Sequence, residues 1–307
     1  PVERARREPV HTVLSGPAGG VIGALTWAKR AGTDHVITFD MGGTSTDVSL
    51  CPGRPLRTRE FEIAGQPTSI PVIDIHTVGA GGGSLARVDA GGALRVGPQS
   101  AGAEPGPICY GHGGQGVTVT DAHVWLGRLP AGAFLGGGSE LDRDGPLQEI
   151  ATALDMTLEE AAEGILSVAD TAMERALRVI SVERGYDPAD FAVVAFGGAG
   201  GLHVAELTSR VGSQKALVPP DPGLLSAYGM LASPVTRETS RTVLLSTDMT
   251  DIDRVIAETL DTLEATALEE MLAEGSPADA LTTARWIDAR YAGQSFELRV
   301  PAATWTN

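Results

Sequence analysis

Phe191–Phe196 (FAVVAF) places six apolar residues in a row with no polar position between them, and Gly197–Gly201 (GGAGG) follows without a spacer. An unbroken run of that length predicts a strand buried on both faces, which requires helices on both sides of a parallel part of a sheet. The segment after the glycines, LHVAELTSRV, reads as a helix. A helix N-terminus is therefore expected at the carboxyl edge of a sheet, where ligands of α/β folds collect. The spacing matches neither a phosphate loop ending in GK[ST] nor G-x-G-x-x-G. Taken alone, the segment reads equally as a ligand loop or as tight packing.

A second motif shifts that balance toward a ligand. His35–Asp40 (HVITFD) and Thr46–Leu50 (TDVSL) read as two short strands around a Gly-Gly turn. Gly42 and Gly43 let the backbone turn tightly and approach a ligand, and such a turn aims successive N–H groups at one point. Thr44, Ser45 and Thr46 add hydroxyl donors. Asp40 and Asp47 would repel a phosphate. They make sense if Mg²⁺ or an attacking group sits between, because Mg²⁺ favours one or two carboxylates with waters and phosphate oxygens. The alternative is an ordinary hairpin.

Other segments carry weaker signals. Residues 68–78 read as a strand, 85–96 as a hairpin with Gly91-Gly92 at its tip, and 97–116 as a Gly/Pro loop. Thr157 and Glu160 form a T-x-x-E capping box before a helical stripe that should stop near Gly185. Gly79–Gly83 reads evenly as a channel wall or a packed turn. Asp74-Ile-His76 and Asp121-Ala-His123, placed on strands, would present O and N ligands on one face and suit Zn, Mn or Fe. The alternative for them is hydrogen bonding to buried backbone. His203, at a helix start, is a candidate nucleotide or substrate contact or a helix-terminus hydrogen bonder. Cys109 lacks a clear base and orienter for a nucleophile's role.

The 307 residues exceed one minimal domain, and 42% hydrophobic with 20% charged residues excludes a disordered chain. The character changes past Arg241, where an acidic amphipathic helix (251–274) and alternating segments (283–300) follow. Residues 1–240 are read as one α/β lobe, and 241–307 as the start of a small C-terminal α+β appendage. Lys and Arg number 23 against 39 Asp and Glu, a net charge of −16. That argues against non-specific binding to nucleic acid or an anionic membrane. No apolar stretch reaches the roughly 18 residues of a membrane span. The basic start lacks the apolar segment of a signal peptide, and two cysteines build no disulfide framework, so a cytoplasmic location is expected.

Several motifs in order carry a resemblance: SGPAGGVIGA at 15–24, FDMGGTSTDV at 39–48, HTVGAGGGSLARVD at 76–89, GPQSAGAEPGPICYGHGG at 97–114, FGGAGGLH at 196–203 and RYAGQSFELRV at 290–300. Together they resemble the hydantoinase A/oxoprolinase family, within the actin/sugar-kinase/heat-shock ATPase (ribonuclease H-like) fold. The resemblance implies ATP and Mg²⁺, a cyclic amide substrate such as a hydantoin or 5-oxoproline, and a hydantoinase B-like companion in a homo- or hetero-oligomer. The alternatives are the ATP-using subunit of an acetone- or acetophenone-type ketone carboxylase, which uses the same phosphorylation step, and a scaffold lobe without turnover, against which the intact Asp40 and Asp47 argue. In the superfamily the hairpin holds the β- and γ-phosphates and the later loop the adenosine side. Carried over, Gly42, Gly43, Thr44 and Ser45 would cradle phosphates, Asp40 and Asp47 would hold Mg²⁺ or its waters, and Gly197, Gly198 and Gly200 would pass under the nucleotide. A complete member carries a first lobe with its own Gly-Gly-Thr hairpin. Only one hairpin occurs here and the chain starts at Pro1, so it reads as a piece lacking that lobe, expected to bind nucleotide weakly and turn over poorly alone.

Overall fold

The structure is a computed structural model that describes residues 5–6, 9–58, 61–63, 65–68, 72–130, 132, 141–142, 145–294 and 296–305. Two compact units divide the chain: Glu8–Ser233, and Pro234–Asn307 with Pro1–Arg7. The larger is built on a five-stranded mixed sheet. Strands β1 (His35–Met41), β2 (Thr46–Pro52) and β3 (His76–Val78) form an antiparallel meander. Strands β6 (Ala192–Phe196) and β7 (Lys215–Leu217) extend it in parallel on the other side of β1, giving the order β7-β6-β1-β2-β3. A separate antiparallel hairpin joins β4 (Ser84–Val88) to β5 (Leu94–Ser100).

The apolar run at 191–196 is explained by helices on both faces. Val193 and Ala195 point to one side with Ile37, Phe39 and Met41 of β1, into a core completed by Ile165, Met173 and Leu177. Val194 and Phe196 point to the other with Val36, against Val21, Ala24, Leu25 and Leu225. Each such large side chain, fully buried, contributes about 1.5–3 kcal/mol. The first face is covered by α3 (Leu158–Ile180), started by the expected Thr157/Glu160 capping box. This helix ends at Ile180, and Gly185, in the left-handed region, closes the 3-10 turn that follows. Helix α4 (Gly200–Val211) follows β6.

The second face is covered by α1 (Ser15–Arg30) and α5 (Leu225–Ala232). The glycines of SGPAGGVIGA are interior to α1. A Cβ at Gly23 would stand 2.7 Å from the Leu225 carbonyl oxygen, and one at Gly229 would overlap the Gly19 carbonyl oxygen. The two backbones approach so closely that no side chain fits between them.

Three expectations are corrected. Only His76–Val78 of residues 68–78 joins the main sheet; Gln66–Thr68 and Val72–Ile73 pair elsewhere in short ladders, and 69–71 lie outside the described residues. Residues 119–125 form a helix, α2 (Val119–Trp125), whose N-cap Thr118 makes a capping box with Asp121. The 97–116 segment begins as strand β5 and carries cis peptide bonds at Gly97-Pro98 and Glu104-Pro105.

The smaller unit contains α6 (Ile252–Ala273) and an antiparallel pair, β8 (Trp286–Ala289) and β9 (Leu298–Pro301). Arg237 with Glu270 and Glu274, and Arg285 with Asp261 and Glu264, pair with the acidic face of α6. Among the described residues no helix is long and apolar enough to cross a membrane.

Gly229→Ala is expected to lower the unfolding free energy by about 1–3 kcal/mol through overpacking, read as a lower urea midpoint at unchanged slope. Gly16→Ala, where a Cβ meets nothing within 4 Å, should stay within about 0.5 kcal/mol of the parent.

Candidate functional site

Strand β1 ends and β2 begins around the Gly42–Ser45 turn, closed by the Gly42 N–H donating to the Ser45 carbonyl at 3.0 Å. The register sets Asp40 opposite Asp47, and Asp47 opposite Thr77 of β3. Residues directly opposite share a face, so these three side chains form a row across the end of the sheet. Thr77 Oγ1 donates to Asp47 Oδ1 at 2.5 Å. Like charges directly opposite are destabilising. Burial first, and the Asp47 charge second, push the Asp40 carboxyl up to about 6. Gly43 and Thr44 are exposed, with Gly42 and Ser45 half-buried beside them.

The second glycine loop, 79–83, packs on this turn. Gly82 N–H donates to the Gly42 carbonyl at 3.0 Å, and Gly83 N–H to the Gly43 carbonyl at 2.7 Å. A Cβ at Gly81 would stand 2.7 Å from Gly43 C and Thr44 N. Of the two readings left open for Gly79–Gly83, the packed turn is what the geometry shows. Thr46 Oγ1 donates to the Ala80 carbonyl at 2.6 Å, and Thr120 gives both its N–H and its hydroxyl to the Gly82 carbonyl at 2.8 Å.

The third loop closes the site from β6. Gly197 has φ +78, and a Cβ there would overlap Asp40 Oδ1. Gly197 N–H donates to the Pro222 carbonyl, and Ala199 N–H to the Met41 carbonyl, each at 3.0 Å. Gly198 is exposed, whereas Gly200 is buried against Phe39. The first turn of α4 has no side-chain cap. The hairpin and the Gly197–Gly200 loop thus meet at one end of the sheet.

Other expected ligands are used elsewhere. His203 is 2% exposed: its Nδ1 lies 2.6 Å from Asp170 Oδ1 and its Nε2 3.0 Å from His123 Nε2. It lies behind the loop with both nitrogens engaged, which corrects its reading as a nucleotide or substrate contact. Asp121 and His123 sit on a helix, where positions i and i+2 diverge, so they share no face. Asp121 accepts from Cys109 N–H through one oxygen and from Thr118 through the other. Asp74 lies between strands and is ion-paired with Arg184, while His76 begins β3. The described residues contain no cluster of three His, Cys, Asp or Glu able to hold a metal. The transition-metal reading of Asp74, His76, Asp121 and His123 therefore has no support. Burial, then the charge of Asp121, pushes the Cys109 thiol far up, away from a thiolate's role.

Thr77, Thr120 and Asp170 escape sequence reading. Thr77 enters through strand register alone. Asp170 had a signal, since it lies between Leu166 and Met173 on the buried side of α3.

The hydantoinase/oxoprolinase family profile matches residues 1–239. Caprolactamase subunit alpha of Pseudomonas jessenii is 38% identical over 303 residues, covering 96% of this chain and 43% of the relative. The crystal structure of the ATP-dependent caprolactamase from that organism superposes with a TM-score of 0.76 at 35% identity, over 94% of this chain and 42% of that one. Acetone carboxylase in its nucleotide-free structure gives 0.77 at 32% identity, over 95% and 43%. A 5-oxoprolinase of Pestalotiopsis fici is 38% identical over 305 residues, covering 94% of this chain and 24% of the relative. The chain spans less than half the length of these relatives.

The raised Asp40 carboxyl makes stability pH-dependent. Its folded value of about 6 lies above the ordinary 3.8, so the folded chain holds the proton more tightly than the unfolded one. Asp40 therefore adds stability as pH falls from about 6 toward 4, and that gain is lost as pH rises through 6. Asp40→Asn is expected to raise the unfolding free energy at pH 7 by about 1–2 kcal/mol, solvent screening allowed for. At pH 4 it should change little. Urea titrations of both proteins at the two pH values check this.

Proposed function

We propose that this chain, which belongs to the hydantoinase/oxoprolinase family, is the ATP-handling lobe of an enzyme that phosphorylates and opens a cyclic amide. The observation that carries the reading is Asp40 facing Asp47 beside an exposed Gly43–Thr44 turn, with Gly197 pressed under Asp40. Opposed carboxylates at the mouth of a glycine turn suit a cation and a phosphate better than a purely structural hairpin. The caprolactamase and 5-oxoprolinase likenesses support the substrate class, and an antiparallel meander extended by parallel strands supports an actin-like ATPase lobe.

In this reading Gly43, Thr44 and Ser45 cradle phosphate oxygens through the turn's amides and hydroxyls, and Gly42, whose own N–H closes the turn on the Ser45 carbonyl, shapes the cradle. Gly197 and Gly198 run beneath the nucleotide, with Gly200 setting the approach of α4. Asp40 and Asp47 fit Mg²⁺ or its waters, since both carboxylates face one point and Thr77 fixes one of them. When bound, that ion neutralises charge on the phosphate oxygens.

An amide carbonyl is a poor electrophile, and moving the γ-phosphoryl group of ATP to its oxygen turns that oxygen into a leaving group. Water adds to the activated carbon, the C–N bond breaks to release the ring nitrogen as an amine, and a second water frees phosphate. Lactam, ATP and two waters thus give amino acid, ADP and phosphate. The lobe's share is positioning and charge neutralisation. We assign the hydrolytic steps to a hydantoinase B-like companion, a division supported by the relative's name, caprolactamase subunit alpha. A cytoplasmic setting accords with two free, buried cysteines, Cys51 and Cys109. The likeness to acetone carboxylase favours a second reading, in which the same transfer activates a ketone for carboxylation.

The test is ADP release by the full-length protein with its companion subunit, challenged with caprolactam, 5-oxoproline, hydantoins, and ketones with bicarbonate. Cyclic amides are expected to stimulate release, and Asp40→Ala to reduce it about a hundredfold or more. Stimulation by ketone plus bicarbonate alone selects the carboxylase reading. No stimulation, with wild type and variant alike, leaves a scaffold.

A further inference from the structure

His123 and His203 are not needed by the phosphate site, yet both are buried, at 1% and 2% exposure. Asp170, on α3, accepts from His203 Nδ1–H at 2.6 Å. The two Nε2 atoms are 3.0 Å apart. Only one proton fits between them, so one ring donates and the other accepts; two N–H groups or two lone pairs would repel. His123 Nδ1 is buried with no hydrogen-bond partner. Burial, followed by the neighbouring His203 and Arg128, pushes His123 down to about 3, which keeps it neutral.

The contact's place in the fold gives it a use. His203 stands one turn into α4, directly behind Gly197–Gly200. His123 stands one turn beyond Thr120 on α2, and Thr120 holds the Gly82 carbonyl that anchors the brace under Gly42 and Gly43. The two loops flanking Asp40 and Asp47 are thus joined from behind through one imidazole–imidazole bond.

We propose that Asp170, His203 and His123 form a buried positioning relay that ties the helix carrying the Gly197–Gly200 loop to the helix holding the Gly79–Gly83 brace, and so sets the spacing of both loops around Asp40 and Asp47. Its effect on turnover rests on the phosphate reading above; its effect on the brace does not.

The experiment compares wild-type full-length protein with His123→Phe, which removes the nitrogens, and His123→Gln, whose amide can donate or accept near Nε2. Two readouts are taken: hydrogen–deuterium exchange of the peptide spanning Gly79–Gly83 without nucleotide, and KM for ATP in the substrate-stimulated reaction with the companion. His123→Phe should speed exchange about tenfold and raise KM about tenfold, while His123→Gln stays within about twofold of wild type on both. A folded His123→Phe protein with wild-type exchange overturns the relay, as does a His123→Gln protein as impaired as His123→Phe. If His123→Phe does not fold, His203→Asn, which can keep the Asp170 bond and drops the one to His123, decides by the same readouts. Faster exchange in the variant alongside a wild type that does not turn over ATP supports the relay and sinks the phosphate reading instead.

Discussion

Asp40 and Asp47 repel each other across the end of the hairpin, and the contacts that hold them there come from outside the pair. A parallel ladder from Val36–Ala192 to Asp40–Phe196 fixes β1 against β6, and the meander fixes β2 against β3, so the two backbone positions cannot separate without breaking a ladder. Thr77 gives Asp47 a hydroxyl, while Gly197 leaves Asp40 no room behind it. The turn itself is short of internal bonds and is held by the Gly82 and Gly83 amides.

Glycine does three separate jobs here. At Gly197 it supplies a positive φ and an absent Cβ under a carboxylate. At Gly81 it lets one loop lie on the backbone of another. At Gly19, Gly23 and Gly229 it lets two helices touch backbone to backbone on the far face. The conformational entropy lost with each is offset by packing that no other residue allows.

Much of this was legible in the chain. The FAVVAF run gave a two-sided strand because both its faces are covered, and the hairpin around Gly42-Gly43 followed from alternation and turn chemistry. The Thr157/Glu160 box marks its helix start to the residue. Helix α1 was not legible as a helix, because SGPAGGVIGA carries the residues with the poorest helix propensity and is stabilised by a partner about 200 residues away. The Asp121–His123 segment misled for the opposite reason: i, i+2 spacing has meaning only once strand or helix is known, and the Thr118 cap decides it locally. His203 was legible as a polar residue at a helix start, but its burial depends on Asp170 and His123, distant in sequence and brought together only by packing.

Charge explains why backbone geometry matters so much at this site. The chain carries −16, and the segments 40–47, 77–84 and 196–203 contain no Lys or Arg. An anion reaching these loops meets no cationic side chain of theirs, only amides and hydroxyls and, in the proposed reading, a cation held by the two carboxylates. A mobile arginine can follow a misplaced phosphate; a backbone amide cannot. In the proposed phosphate reading, a site of this composition relies on the placement of its turns, and the buried bracing behind them supplies it: the Gly82 and Gly83 amides on the hairpin, Thr120 on Gly82, and the bonded histidines that connect α2 to α4.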